Sequence, residues 1–222
     1  MIKIKLFIGL LTIFISVACN PTRVVKPLNK GQLQGGVSLG GPAIPMGSLP
    51  VLVPLTSVHA AYGYSNITSI FGSIQTTSLL FGVLHTDIGV TQHIKKQNGY
   101  VPAISTSAIA NLMIDWWEWR PSILPQIDLN FYWQYKQKPH LIYTGLQNWF
   151  EPRTTRAHGE KQPENWLPSL SLGHQWVKQK YNWQLEARYI GFTQSNKNIV
   201  VDYISPGSNG ALGIYFGVQR KF

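Results

Sequence analysis

The last twelve residues, Ala211-Leu212-Gly213-Ile214-Tyr215-Phe216-Gly217-Val218-Gln219-Arg220-Lys221-Phe222, decide the fold. Counting back by two from Phe222 gives Arg220, Val218, Phe216, Ile214 and Leu212, an apolar and aromatic face interrupted only near its end. The interleaved residues Lys221, Gln219, Gly217, Tyr215, Gly213 and Ala211 are small or polar apart from Tyr215. A period of two marks a strand, because successive side chains point to opposite faces. This alternation is longer than an ordinary soluble strand and suits one tilted across a bilayer, which needs about 9–11 residues. Arg220 lies near the end, where its stem can follow apolar surface while its head reaches the interface.

The same period recurs upstream. Tyr181, Trp183, Leu185, Ala187 and Tyr189 oppose Gln184, Glu186 and Arg188. Pro125, Ile127, Leu129, Phe131, Trp133 and Tyr135 oppose Gln126, Asp128, Asn130, Tyr132 and Gln134, and Pro168, Leu170 and Leu172 oppose Ser169, Ser171, Gly173 and Gln175. Weaker segments at Leu33–Gly40, Leu55–Tyr64, Ile67–Gln75, Leu80–Ile94, Tyr100–Leu112 and His140–Phe150 bring the set to about ten strands, an even number as single-chain bacterial barrels require. The count falls to eight if Leu33–Gly40 and a neighbour are periplasmic or plug segments.

Composition agrees. Of 222 residues only 13% are charged while 12% are aromatic, and outside the N-terminal segment no apolar run approaches the ~18–20 residues of a spanning helix. Alternating strands cross a membrane without such a run. The expected fold class is therefore all-β, an antiparallel transmembrane β-barrel over residues 31–222. Connections give a separate test. Ser65-Asn66, Lys95–Gly99, Lys136–Pro139 and Gln179-Lys180 are short and polar, whereas Gly41–Pro54, Met113–Ile123, Glu151–Asn165 and Thr193–Asn209 are long; only Thr76–Leu79 is short where a long one belongs. Short periplasmic turns and long external loops are the habit of membrane barrels. Gly41–Pro54, with four prolines, reads as a cap folding over or into the mouth.

Met1–Ala18 reads as a secretory signal: Lys3 and Lys5, the apolar stretch Leu6–Ile15, then the small-residue end Ser16-Val17-Ala18. Cys19, the only cysteine, excludes a disulfide framework. Ser16-Val17-Ala18-Cys19 resembles a bacterial lipobox, which implies a diacylated Cys19 and an N-terminus held by lipid on the periplasmic side of the outer membrane; two or more acyl chains anchor stably where one does not. Residues 19–30 then form a lipidated flexible tether, since Asn20–Lys30 has two prolines, three basic residues and no period. Whether it lies beside the barrel or enters it is left open.

The terminal Phe222 resembles the assembly signal of bacterial outer-membrane barrels, which implies the barrel assembly machinery as a partner. A wider resemblance runs through Thr22–Leu28 (TRVVKPL), Ser38–Pro42 (SLGGP), Pro54–Val58 (PLTSV), Asn148-Trp149-Phe150, Arg153–His158 (RTTRAH) and Val201-Asp202-Tyr203. On these segments the chain resembles a group of outer-membrane β-barrel lipoproteins of Bacteroidetes-type bacteria. The group carries no assigned activity, so the resemblance implies fold and location and no chemistry.

A barrel of ten strands is too narrow for an open channel, because wide aqueous lumens appear at about sixteen. The alternation turns His85, Asp87, Thr91 and His93 inward from one strand, Gln126, Asp128 and Asn130 from another, and Glu186 and Arg188 from a third. These polar side chains must pair, so the first expectation is a structural lumen network. The alternative is a membrane-embedded hydrolase or acyltransferase acting on lipid or peptide. His85 and Asp87, two apart on one face, would serve as its base and orienting acid, with Ser73, Ser78 or Ser107 as nucleophile. No Gly-x-Ser-x-Gly elbow and no metal-ligand spacing occurs, and no metal or cofactor is expected.

Loops offer a third place for function. Glu151–Asn165 carries Arg153, Arg156 and His158, and Asp115–Arg120 carries Trp116, Trp117 and Trp119 among three charges. Arginine suits phosphate or carboxylate, both present in lipopolysaccharide, and Trp beside charge suits a glycan or the membrane-interface girdle. The formal charge of +10 first suggests nucleic acid, but no nucleic-acid motif is present. Many basic residues fall in turns and loops, so outer-membrane lipid head groups are the expected partners. The oligomeric state is not legible.

Overall fold

The computed structural model describes residues 24–117, 119, 121–135, 139–155, 162, 164–196 and 202–222. Its strands are β1 (Leu33–Met46), β2 (Leu49–Leu52), β3 (Leu55–Gly63), β4 (Thr68–Gln75), β5 (Val83–Lys95), β6 (Ala103–Asp115), β7 (Pro121–Gln134), β8 (Leu141–Phe150), β9 (Trp166–Val177), β10 (Tyr181–Ser195) and β11 (Asn209–Lys221), with a short helix α1 (Thr76–Leu80) between β4 and β5. Each strand pairs antiparallel with its neighbour in the chain, except that β3 pairs β1 rather than β2. β1 also pairs β11, with Val37 opposite Val218, which closes the sheet. Because β2 pairs only with β1, ten strands form the barrel. Leu33–Gly40 is thus a wall strand, and the eight-strand alternative is excluded.

The two faces of the wall reverse the habit of a soluble protein. Ile88 is 63% exposed and Leu172 61%, whereas Asp128 is 0% and Glu186 1%. Apolar side chains ring the outside and polar ones fill the inside, the arrangement required when the surroundings are hydrocarbon. Small residues make the interior fit. A Cβ on Gly173 would collide with the Tyr143 ring, so that glycine makes room for one of the largest side chains in the lumen, a small-against-large pairing typical of narrow barrels.

Several boundaries differ from the sequence reading. β6 runs to Asp115 and β7 starts at Pro121, so most of the expected loop Met113–Ile123 is wall. Gly41–Pro54 is no cap: β1 continues past the barrel and turns into β2 as a projecting hairpin, with Met46 and Leu49 each 68% exposed at its tip. Pro45 lies opposite Pro50. Two residues without N–H groups can only face each other at a non-hydrogen-bonded pair, which is how the ladder tolerates them. Thr76–Leu80 is helical, and Thr56 ties it to β3 through hydroxyl contacts with Thr76 at 2.6 Å and Thr77 at 2.8 Å.

Candidate functional site: the filled lumen and the two rims

The lumen is filled from two sources. In the half nearest the short turns, Val24–Asn29 enters the barrel. The Val24 carbonyl accepts from the Thr91 hydroxyl at 3.1 Å and the Val25 carbonyl from Ser105 at 2.5 Å. The Leu28 N–H donates to Ser69 Oγ at 2.8 Å, the Lys30 N–H to Asn66 Oδ1 at 3.1 Å, and the Lys26 ammonium to Gln134 Oε1 at 3.0 Å. Val25 packs with Ala103, Tyr132, Leu141 and Tyr143, while Val24 and Leu28 pack against Ala61, Phe71 and Ile109. The segment joins no strand; inward-facing hydroxyls satisfy part of its backbone instead.

Nearer the long loops, the strands' own side chains fill the space in two networks. In the first, Ser73 Oγ donates to Asp87 Oδ2 and Gln75 Nε2 to Ser73 Oγ. Asn111 Nδ2 donates to Gln126 Oε1 at 3.0 Å and Gln126 Nε2 to Asp128 Oδ1 at 2.7 Å. In the second, the Tyr143 hydroxyl donates to Glu186 Oε2 at 2.6 Å, Gln184 Nε2 donates to that hydroxyl at 2.5 Å, and Arg188 Nε donates to Glu186 Oε1. The Arg188 guanidinium also lies 4.7 Å from the centre of the Tyr215 ring.

His85 and Asp87 both point inward, as expected of β5, with no hydrogen bond between them. Among the described residues neither ring nitrogen of His85 hydrogen-bonds Asp87 or a serine hydroxyl, and the ring sits edge-on to Trp149 at 6.3 Å. The candidate hydroxyls are scattered: Ser73 on Asp87, Ser107 on Thr91 at 2.9 Å, and Ser78 within α1. Asp128, Asn130, Glu186 and Arg188 are buried in the lumen. His93 bonds the Tyr132 hydroxyl through Nδ1 at 2.8 Å.

Several inward residues escaped the sequence reading, among them Asn111, Gln147 and His59. His59 is 9% exposed and faces Ser73 in register, so His59, Ser73 and Asp87 occupy consecutive strands on one row. The alternation Ser57, His59, Ala61, Gly63 against Val58, Ala60 and Tyr62 carried that signal. Gly36 across from it makes the space, since a Cβ there would lie 2.8 Å from His59 Nε2.

At the loop rim, Glu151 receives Arg153 Nη2 at 2.6 Å, Nε at 2.8 Å and the backbone N–H at 3.0 Å. Burial pushes the Glu151 carboxyl up, but those bonds and the guanidinium charge outweigh it and hold the group below the ordinary carboxylate value. Trp116, Trp117 and Trp119 are 50%, 77% and 75% exposed, with the Trp117 N–H on Asp115 Oδ1. Arg156, His158 and Cys19 lie outside the described residues. At the opposite rim, the Phe222 N–H donates to the Leu33 carbonyl at 2.9 Å and Arg220 lies over the Phe222 ring.

No family model matches the chain, and no curated protein does. Solved structures do. An outer membrane channel from Pseudomonas putida F1 matches with a TM-score of 0.51 at 10% identity, covering 92% of this chain and 100% of its own. The outer membrane protein OprG from Pseudomonas aeruginosa gives 0.37 at 10% identity over 89% and 99%, and the translocator domain of the autotransporter NalP from Neisseria meningitidis gives 0.43 at 9% over 99% and 96%. At such identity the likeness shows the fold: a closed, antiparallel, ten-stranded β-barrel of the bacterial outer-membrane type.

Proposed function

We propose that this chain is an outer-membrane barrel lipoprotein of the group that the sequence resembles, anchored through Cys19, with a closed lumen and its activity confined to its surfaces. It stabilises the outer membrane or holds a lipid, glycan or protein partner at the loop rim, where Arg153 and the exposed Trp116, Trp117 and Trp119 offer charge beside aromatic faces. The observation that carries the reading is the double obstruction of the lumen. Val24–Asn29 blocks the turn half, and Glu186, Arg188, Tyr143 and Tyr215 block the level above it. A buried ion pair held by further hydrogen bonds is costly to open, which argues against ready passage of solute. The hydrolase alternative on His85 and Asp87 draws no support from the placement of the His85 ring.

Conductance recording of the purified chain in a planar bilayer tests the closed lumen. The expected record has no unitary steps; a stable ohmic conductance from correctly assembled protein would overturn the reading. Mass analysis of the N-terminal peptide tests the anchor, with diacyl modification expected at Cys19 and lost in Cys19→Ser.

A further inference from the structure

Charge is segregated along the barrel axis. The described acidic side chains are Asp87, Asp128 and Glu186 in the lumen and Asp115, Glu151, Glu164 and Asp202 at the loop rim. The turn rim has no acidic side chain among the described residues, yet it carries Lys30 ahead of β1, Lys95 ending β5 and Lys96 after it, Lys178 and Lys180 between β9 and β10, and Lys221 ending β11. Lys26 and Arg220 lie at the same end, and the sequence places Lys136 and Lys138 in the β7–β8 connection, outside the described residues. The surplus positive charge of the barrel is therefore a property of one rim.

That rim also contains a recess. About 520 Å³ of space opens between Pro139, His140, Val177, Lys178, Gln179 and Lys221. The Lys221 ammonium donates to the Lys178 carbonyl at 2.8 Å, which fixes it at the recess. His140 Nδ1 accepts the Val177 N–H at 3.0 Å, so the neutral imidazole carries its proton on Nε2 and is a donor there. Lys178, Lys221 and His140 line the recess with no acidic side chain beside them among the described residues. An aromatic belt adjoins it on the outer wall, where Tyr181 is 44% and Trp176 37% exposed. Such belts mark head-group depth, so the lysines lie at the level of the phosphates of the facing leaflet.

We propose that this recess binds the phosphate of an anionic phospholipid, with the remaining lysines of the rim neutralising the lipids around it. Pro139 and Val177 supply apolar floor for the glycerol backbone beneath the phosphate, which a soluble anion would leave unused. The inference needs only the barrel and its rim, so it stands or falls separately from the closed lumen.

The test is native mass spectrometry of the full chain in neutral detergent, titrated with phosphatidylglycerol and with phosphatidylcholine of the same acyl chains. Preferential retention of phosphatidylglycerol is expected. The double change Lys178→Gln and Lys221→Gln should weaken it by about tenfold or more, given roughly fivefold per basic residue near an anionic surface. Equal retention of the two lipids overturns the proposal, as does an undiminished preference in a double variant that keeps the heat-modifiable migration of a folded barrel. If the variant does not assemble, the native chain still decides: its preference should fall steeply between about 0.05 and 0.5 M salt as screening shortens, and an insensitive preference refutes it. Full displacement by inorganic phosphate at equal concentration would also refute the lipid, because the recess would then read phosphate alone.

Discussion

Two Glu-x-Arg sequences, Glu186-Ala187-Arg188 in β10 and Glu151-Pro152-Arg153 beyond β8, put the same charges at the same spacing into different surroundings. In β10 the strand period alone brings the side chains to one face, and both are 0% exposed. In the loop the chain bends so that Arg153 donates three hydrogen bonds to one carboxylate, yet the arginine side chain remains 57% exposed against 8% for its glutamate. The loop pair has the smaller consequence. Water screens it and solvates either partner when the other leaves, whereas nothing solvates Arg188 if Glu186 is lost except the side chains already committed around it.

The largest expected effect follows from that difference. Glu186→Ala should destabilise the barrel by about 3–5 kcal/mol, because it leaves a guanidinium in the lumen without its carboxylate. Urea unfolding followed by the heat-modifiable shift on a gel measures it. Replacing both members by Leu and Met should recover most of the loss, since burying apolar side chains of similar volume avoids the desolvation of two charges. A Glu186→Ala variant as stable as Glu151→Ala would break the comparison.

How much of this was legible in the sequence depends on where the satisfying partner lies. The inward placement of Glu186, Arg188, Asp128 and Asn130 followed from period two alone, because a strand's faces are local properties. The tether was not legible as a lumen segment: Val24 and Val25 are held by Thr91 and Ser105, 67 and 80 residues away, and an aperiodic run gives no sign of such partners. Prolines misled across Gly41–Pro54, since each marks a missing donor but not whether the ladder needs one at that position. Tyr143 lay on the inward face of a weak segment, and its role in holding Glu186 emerges only once Tyr143, Gly173 and Glu186 fall in one row across β8, β9 and β10, where the ring passes over the glycine.

A smaller effect sharpens the same contrast. A double-mutant cycle on Glu151→Ala and Arg153→Ala should return a coupling of no more than about 1 kcal/mol, the range of half-exposed pairs. Its readout is best taken locally, since the pair ties a loop rather than a wall strand: the Glu151 N–H donates to the Asn165 carbonyl at 2.8 Å, and Asn165 Nδ2 returns to the Glu151 and Arg153 carbonyls. A coupling near that expected for the buried pair would mean that the loop excludes water as the lumen does.

The smallest effect is on pH. The Glu151 carboxyl is held below its ordinary value of 4.5 in the folded chain, burial being outweighed by the Arg153 bonds and charge. A depressed carboxyl contributes stability that is fully present above the unfolded value and lost as pH falls through the lower, folded one. Hydrogen exchange at the Glu151 amide should therefore be flat at neutral pH and gain protection loss only on acidification below about pH 4.5, after correction for intrinsic exchange. Glu151→Gln should remove that dependence while leaving the Asn165 contacts to the backbone. If the acid-induced opening survives in Glu151→Gln, another carboxylate governs the loop, and Glu164, which accepts Gln194 Nε2 at 2.6 Å, becomes the group to change next.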